Sequence, residues 1–346
     1  SACILSAFVL LSPVAALGGV TVTPIILSNQ PAPGLSNSIK FGSYVNRPAI
    51  RGSQLAFVGN LVGSGVSGSN NSGIWAGQPG GLKLCVREGA TAPGCKSGET
   101  FSGFGDPLLS ANGDVAFIGF LRGSGIKANN DSGLWMTVKG KPQLVAREGA
   151  TVPGMKIQFG PISSPVFNQK GEIAFFSTLQ GSGVTNKNDT CIWAGMPGSL
   201  GIVARESEGA PGTPKGQVFS ALYRPVINDS GQVAFRAVLT GTGVTTQNSI
   251  GIWMEGKKGL ELIVRQGTEA PDAGSGVTYN VLGDPSINNA GQLAFTSSLA
   301  GKVNSSNNRA LFVGAPGKIR MVARTGDGAP GTKNLKFREL YDPCIN

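Results

Sequence analysis

The sequence predicts an all-β fold: a β-propeller of four-stranded modules, each about 60 residues long. Three recurrences carry that reading. An Ala-Phe pair places its aromatic at Phe57, Phe117, Phe175, Phe235 and Phe295, at spacings of 60, 58, 60 and 60 residues. A second aromatic follows an aliphatic residue at Trp75, Trp135, Trp193, Trp253 and Phe312. An arginine then closes an apolar run at Arg87, Arg147, Arg205, Arg265 and Arg324.

Within one module the pattern is that of short strands joined by turns. In the fourth copy, Asn228-Asp229-Ser230-Gly231 supplies residues suited to a turn with positive φ. Val233, Phe235, Ala237 and Leu239 then alternate with Ala234, Arg236, Val238 and Thr240, the period of a strand. Gly241-Thr242-Gly243 breaks that strand, Ile252-Trp253 marks the next, Leu262 to Arg265 another, and Tyr279 through Leu282 to Pro285 the last. No long stretch in the repeats carries an apolar stripe of helical period, which argues against a doubly wound fold. Between a propeller and an open β-solenoid, four strands per module with large recurring aromatics favour blades packed face to face.

The modules do not come out even. The strand that ends in Pro occurs six times, with its leading aromatic at Phe41, Phe101, Phe159, Phe219, Tyr279 and Phe337, whereas the other three strands are clear only five times. Upstream, Ile25-Ile26-Leu27 and Pro31-Ala32-Pro33-Gly34 resemble Leu84-Cys85-Val86 and Ala92-Pro93-Gly94. The expectation is therefore five clear blades plus an N-terminal half-module, within one propeller domain over residues 20–346.

Residues 1–19 form a separate apolar tail, with Ile4, Leu5, Phe8, Val9, Leu10 and Leu11 as its candidate assembly residues. Three readings of this tail stand side by side. Ser6-Ala7-Phe8-Val9 is a worn Ala-Phe strand that gives a sixth blade within the chain; or the tail adds as a strand to a second copy; or Ile4 to Leu11 is the apolar region of a secretory signal, with Val14 and Ala16 at cleavage positions. Pro13 breaks the segment, which is too short for an integral membrane span.

Composition limits the chemistry. The chain has 53 glycines among 346 residues, 40% hydrophobic and only 14% charged residues, a balance that gives a loop-rich protein with a large core. It contains no histidine, which removes the usual general base near neutral pH and the commonest metal ligand. The formal charge of +10 comes from Lys and Arg spread through every repeat, which reads as a basic surface and not as a nucleic-acid site. Asp106, Glu172 and Asp284 are the carboxylates an enzyme would have to use, and no spacing favours them. Neither a cofactor nor a metal is expected; Asp131 and Asp189 offer too few oxygens for calcium.

The repeat resembles a family of bacterial secreted and surface-anchored tandem-repeat proteins, marked by Asn-x-x-Gly-x-x-Ala-Phe and, further on, Ala-Arg-x-Gly and Ala-Pro-Gly. Asn228 to Phe235, Asn288 to Phe295 and Asn168 to Phe175 match the first motif; the second copy has Ser110 at the Asn position and the first has Gly52 one residue out of register. The resemblance spans most of residues 20–346. It implies an extracellular, propeller-like protein and brings no catalytic residues.

The recurrent Arg, usually followed by Glu as in Arg87-Glu88, reads as a tie to its own turn or to a neighbouring blade, and the Trp set as packed core in preference to sugar-stacking platforms. Asn70, Asn130, Asn188 and Asn304 each open an Asn-x-Ser/Thr acceptor in the loop before the second aromatic, so they are candidate glycosylation sites. Five cysteines suggest an oxidising compartment. Cys85 and Cys95 flank one turn and form a candidate local disulfide; Cys3 and Cys344, at the two chain ends, form a second that would staple a ring or join two chains. Cys191 replaces a Gly and is expected to be a small buried residue. The expected function is a structural subunit of an extracellular filament or coat, a head-to-tail homopolymer made by exchange of N-terminal strands. A carbohydrate-binding, lectin-like propeller is the alternative.

Overall fold

A computed structural model describes residues 23–346, which form five antiparallel sheets and, among the described residues, no helix. The first blade contains β1 (Ile39–Val45), β2 (Ala49–Arg51), β3 (Gln54–Gly63), β4 (Ser72–Gly77) and β5 (Lys83–Arg87). The second contains β6 (Thr100–Phe104), β7 (Leu108–Leu109), β8 (Val115–Arg122), β9 (Ser132–Val138) and β10 (Lys141–Arg147). The third has β11 (Gln158–Phe167), β12 (Ile173–Gln180), β13 (Thr190–Met196) and β14 (Ser199–Arg205). The fourth has β15 (Gln217–Leu222), β16 (Val226–Ile227), β17 (Val233–Gly241), β18 (Ile250–Gly256) and β19 (Gly259–Arg265). The fifth has β20 (Val277–Leu282), β21 (Ser286–Ile287), β22 (Leu293–Gly301), β23 (Arg309–Gly314) and β24 (Arg320–Arg324).

In four blades proline splits the innermost strand. Pro48, Pro107, Pro225 and Pro285 have no N–H for the ladder, so the long first strand becomes two pieces that pair with opposite halves of the second strand. In the third blade the strand runs through Pro165, and the register slips between Ser163 and Val166 with Ser164 at φ 50°. The short inner pieces β2, β7, β16 and β21, together with the end of β11, meet around the propeller axis.

Each blade carries a three-ring cluster that the strand register dictates. Phe57 lies directly across from Trp75, Phe117 from Trp135, Phe175 from Trp193, Phe235 from Trp253 and Phe295 from Phe312. These pairs stack at 5.5–6.5 Å, and an aromatic of the first strand meets the second ring edge-on or tilted at 4.8–5.0 Å. A glycine two residues before the Trp makes room for it: a Cβ at Gly73, Gly133 or Gly251 would stand 2.6–2.9 Å from the indole. In three blades the indole Nε1 donates to a proline carbonyl 42 residues earlier, at 2.9–3.0 Å. In the third blade Cys191 stands in the glycine's place, fully buried, and Trp193 Nε1 donates instead to Ser177 Oγ at 2.8 Å. Burial pushes the Cys191 thiol up to about 12.

The core lies between blades. One cluster joins Ala56, Ile74 and Val86 of the first blade to Phe101, Phe117 and Trp135 of the second, and the same arrangement joins the fourth blade to the fifth through Ile252, Val264, Tyr279 and Phe312. An aliphatic face thus meets the aromatic face of the next blade at each junction.

Polar side chains in the strand-entry turns repeat the link at the axis. Asn112 Nδ2 donates to Gln169 O at 2.8 Å, Asn168 Nδ2 to Asn228 O at 2.9 Å, and Asn228 Nδ2 to Asn288 O at 3.0 Å. Asn168 and Asn228 are almost wholly buried, and each also receives two backbone N–H groups of its own turn through Oδ1. Removing such a group leaves several buried partners unpaired. Asn228→Ala is therefore expected to lower unfolding stability by about 2–4 kcal/mol in urea titrations, against about 0.5–1 kcal/mol for the exposed Asn112→Ala.

Candidate functional site

Among the described residues, a sixth position beside the five sheets is only begun. Past β24 the chain repeats the entry into a first strand: Gly326 N donates to Phe337 O at 2.8 Å and Phe337 N to Asp327 O at 3.0 Å, as Gly267 and Tyr279 do one module earlier. Thr296 Oγ1, on the face of the fifth blade, donates to Asp342 Oδ1 at 2.9 Å, where Arg236 of the fourth blade pairs with Asp284 at 2.7 Å. Residues 337–343 thus sit where a sixth blade's innermost strand belongs, although they form no ladder with any described residue.

The surfaces beside this position are incompletely covered. Ile74, Leu134, Ile192 and Ile252 are 0% exposed, but Leu311, their counterpart in the fifth blade, is only half-buried, as is Ala323. Phe337 is half-buried where the corresponding aromatic of every complete blade is buried, and Leu335 and Val322 are exposed. On the opposite flank the turn over residues 25–35 caps the aromatic face of the first blade through Ile26, Ala32 and Leu35, leaving Ile25 and Leu27 exposed. Among the described residues the Asn link also stops here: Asn288 Nδ2 donates to Gln292 of its own turn and to no further module. The expected assembly residues Ile4, Leu5, Phe8, Val9, Leu10 and Leu11 lie outside the described residues, as does Cys3.

The recurrent arginines are internal ties. Each guanidinium donates to the backbone carbonyl 17 residues earlier, in the loop before the third strand: Arg87 to Asn70, Arg147 to Asn130, Arg205 to Asn188, Arg265 to Asn248 and Arg324 to Asn307, at 2.6–3.3 Å. In the same loops Asn70, Asn130 and Asn188 turn their amides inward. Each Oδ1 accepts an N–H three residues back and each Nδ2 donates to Gly65, Gly125 or Gly183 O at 3.0–3.2 Å. Of the four candidate acceptors, these three have their modifiable nitrogen engaged.

Asn304 differs. The residue that takes the loop-closing place in the fifth module is Asn307, bonded to Asn304 N and to Arg324, while Asn304 is exposed and caps Ser306 through Oδ1. Aligning the loops by the conserved Arg-to-Asn spacing of 17, instead of by the acceptor triplet, would have identified Asn307 from sequence.

The local Cys85–Cys95 disulfide expected from sequence is absent: both are free thiols. Cys85 lies on β5, whose ladder partner among the described residues is β4, while Cys95 lies in the turn that carries the chain on to the next blade, so no hairpin sets them opposite. Burial pushes the Cys85 thiol up to about 11 and that of Cys95 upward, which keeps both protonated and weakly nucleophilic. Cys344 is exposed. The carboxylates Asp106, Glu172 and Asp284 are dispersed over the second, third and fifth blades; Glu172 accepts from Asn168 and Asp284 from Arg236. Among the described residues no group of three or more Cys, Asp or Glu is placed to hold a metal ion.

The residue after each Arg caps the third strand. Ser132 Oγ donates to Glu148 at 2.7 Å and Ser72 Oγ to Glu88 at 3.0 Å; in the fourth module Gln266 Oε1 takes the same role, accepting Ser249 N and Ile250 N. Glu148 is buried, and that desolvation raises its carboxyl above the ordinary value, opposed by Ser132 and reinforced by Asp131. A raised folded-state pKa means that ionisation costs stability: the cost is absent below the unfolded-chain pKa and complete once pH has risen through the folded one. Glu148→Gln, which keeps the acceptor, is expected to raise the neutral-pH melting temperature by about 1–2 °C. The gain should vanish in melts below pH of about 4.

A family model described as a family of unknown function (DUF7453) matches the chain twice, over residues 14–196 and 164–346. No curated protein matches it. Among solved structures the chain is similar to the β-propeller domain of the Trilobed protease from Pyrococcus furiosus, at 10% identity and a TM-score of 0.42, over 81% of this chain and 71% of that one. It is also similar to an acylaminoacyl peptidase of Pyrococcus horikoshii, at 11% identity and a TM-score of 0.42, over 81% of this chain but only 39% of that one. The α-L-arabinofuranosidase Arb93A of Fusarium graminearum is a third, at 11% identity and a TM-score of 0.33, over 86% of each chain.

Proposed function

The chain belongs to the family of unknown function DUF7453, which brings no activity with it, and we propose that the protein is a non-catalytic structural propeller of an extracellular filament or surface coat. Copies join head to tail when the apolar N-terminal segment of one enters the sixth-blade position of the next. The observation that carries this reading is the docked segment at residues 337–343, held by Asp342 and the Gly326–Phe337 backbone pair, with Phe337, Leu311 and Ala323 half-covered beside it. An unpaired strand edge with apolar neighbours is the substrate of strand addition, in which backbone hydrogen bonds give affinity and alternate side chains give register. The apolar residues Ile4, Leu5, Phe8, Val9, Leu10 and Leu11 provide the complementary strand. A contact between two different surfaces of the same chain propagates unless the rotation closes it, which gives a filament. Glycans on exposed loop residues, with Asn304 the most accessible, and a Cys3–Cys344 bond across the junction belong to the same extracellular setting.

The carbohydrate-binding alternative is weaker for two reasons. The Trp side chains are 0–2% exposed and cannot stack on a sugar, and the Asn amides of three loops are engaged in holding those loops closed.

Full-length chain and a chain lacking residues 1–19 are to be compared by negative-stain electron microscopy and light scattering. The expected result is linear polymers for the full chain and folded monomers, with unchanged circular dichroism, for the truncated one. Polymers that survive the truncation would overturn strand exchange between copies, and so would a strictly monomeric full chain.

A further inference from the structure

The axis of the propeller holds a second feature, carried by the inner segments of the five described blades. A cavity of about 430 Å³ is lined by one short segment from every blade: Ala49 to Arg51, Leu108 and Leu109, Val166 and Phe167, Val226 and Ile227, Ser286 and Ile287. The strand register sorts these into two tiers. Ala49, Leu108, Val166, Val226 and Ser286 each pair with the Ala of an Ala-Phe motif, and Ile50, Leu109, Phe167, Ile227 and Ile287 each pair with the residue before that Ala. Nine of these ten side chains are apolar, so polar partners for a ligand inside come from Arg51, Ser286 and the backbone of the inner segments.

The next position along each segment differs in one module, the first, where it lines the cavity. Four modules place Ser110, Asn168, Asn228 and Asn288 there, all buried and bonded within the entry turns. The first module breaks the series with Arg51, which is exposed, lines the cavity and forms no ion pair or side-chain hydrogen bond among the described residues. The entry turn of that module is one residue shorter: Arg51 pairs with Gln54, whereas Asn168 bonds back from Glu172. A cation therefore replaces the amide at this one position of the series, at the wall of an apolar well.

We propose that this axial cavity binds a small amphipathic carboxylate, with its apolar body between the two tiers and its carboxylate on the Arg51 guanidinium. The volume falls within the range of about 300–1,000 Å³ usual for small-molecule sites. Polar groups set against the side chains of Leu109, Phe167 and Ile227 would go unpaired, at a cost in desolvation, which favours a ligand with an apolar body. A neutral apolar one would leave the guanidinium unused. The planar donor fork of arginine matches a carboxylate with two parallel hydrogen bonds.

The probe is octanoate, titrated calorimetrically into the full chain alongside 1-octanol and octylammonium. One octanoate per chain is expected, binding more tightly than octanol, with octylammonium weakest. Arg51→Ala should weaken octanoate about tenfold or more and leave octanol unchanged. The melting temperature should not move, because Arg51 is exposed. Methyl NMR provides an independent readout: octanoate should shift Ile50, Ile227 and Ile287 and spare Ile74 and Ile252 in the interblade cores. Absence of saturable octanoate binding at millimolar concentration, equal affinity in Arg51→Ala, or shifts confined to residues away from the axis would each overturn the proposal.

Discussion

Every blade of this propeller depends on covering one aliphatic face with the aromatic face of the blade that follows. No sheet can bury both faces by itself, because the three-ring cluster of Phe117, Trp135 and Phe101 is completed by Ile74, Ala56 and Val86 from the preceding sheet. The glycines under the indoles exist to let that cluster close. Where Cys191 replaces one of them, the Trp193 ring keeps its burial but changes its hydrogen-bond partner from a linker carbonyl to Ser177. Packing outranks the particular polar contact.

The same requirement gives the ends of the array their significance. An internal blade has a neighbour on each side, but the fifth blade presents Leu311 and Ala323 toward a position where the described chain supplies only residues 337–343. Terminal repeats of modular proteins need caps for this reason. Here the C-terminal segment is a partial cap, held by Asp342 at the inner edge and by the Gly326–Phe337 backbone pair at its start, and it carries its own uncovered apolar residues into the gap. Apolar surface that is half-covered among the described residues, beside the docked segment 337–343, is what couples fold to assembly in the proposed function.

Much of the architecture was legible because it rests on local period and on residues that must repeat. The alternation around Phe235 and the six-to-five mismatch of strand counts follow from backbone and packing rules that act within a module, whereas the strand ending in Pro, read as the last of its module, is the inner strand of the next blade, because Tyr279 pairs with Leu299 and not with the strands before it. The side-chain partners were not legible to the same degree. That Arg87 reaches the Asn70 carbonyl, or that Asn307 and not Asn304 closes the fifth loop, depends on which turn comes close after folding. Cys85 and Cys95 are ten residues apart, yet one belongs to a strand and the other to the linker onto the next blade, so proximity in sequence misleads. The axial ring was hidden because its members are dipeptides scattered at module spacing, each unremarkable alone; the departure at Arg51 is the one trace that sequence carried.

In the proposed assembly, the N-terminal apolar segment completes the sixth position that residues 337–343 begin. Amide hydrogen exchange read by mass spectrometry tests it directly, by comparing peptides over residues 335–346 in the full chain with those in a chain lacking residues 1–19. The account predicts protection of this segment in the full chain that is lost on truncation, while peptides over β8, β12 and β17 stay equally protected in both. Equal exchange of residues 335–346 with and without the N-terminal segment would contradict it.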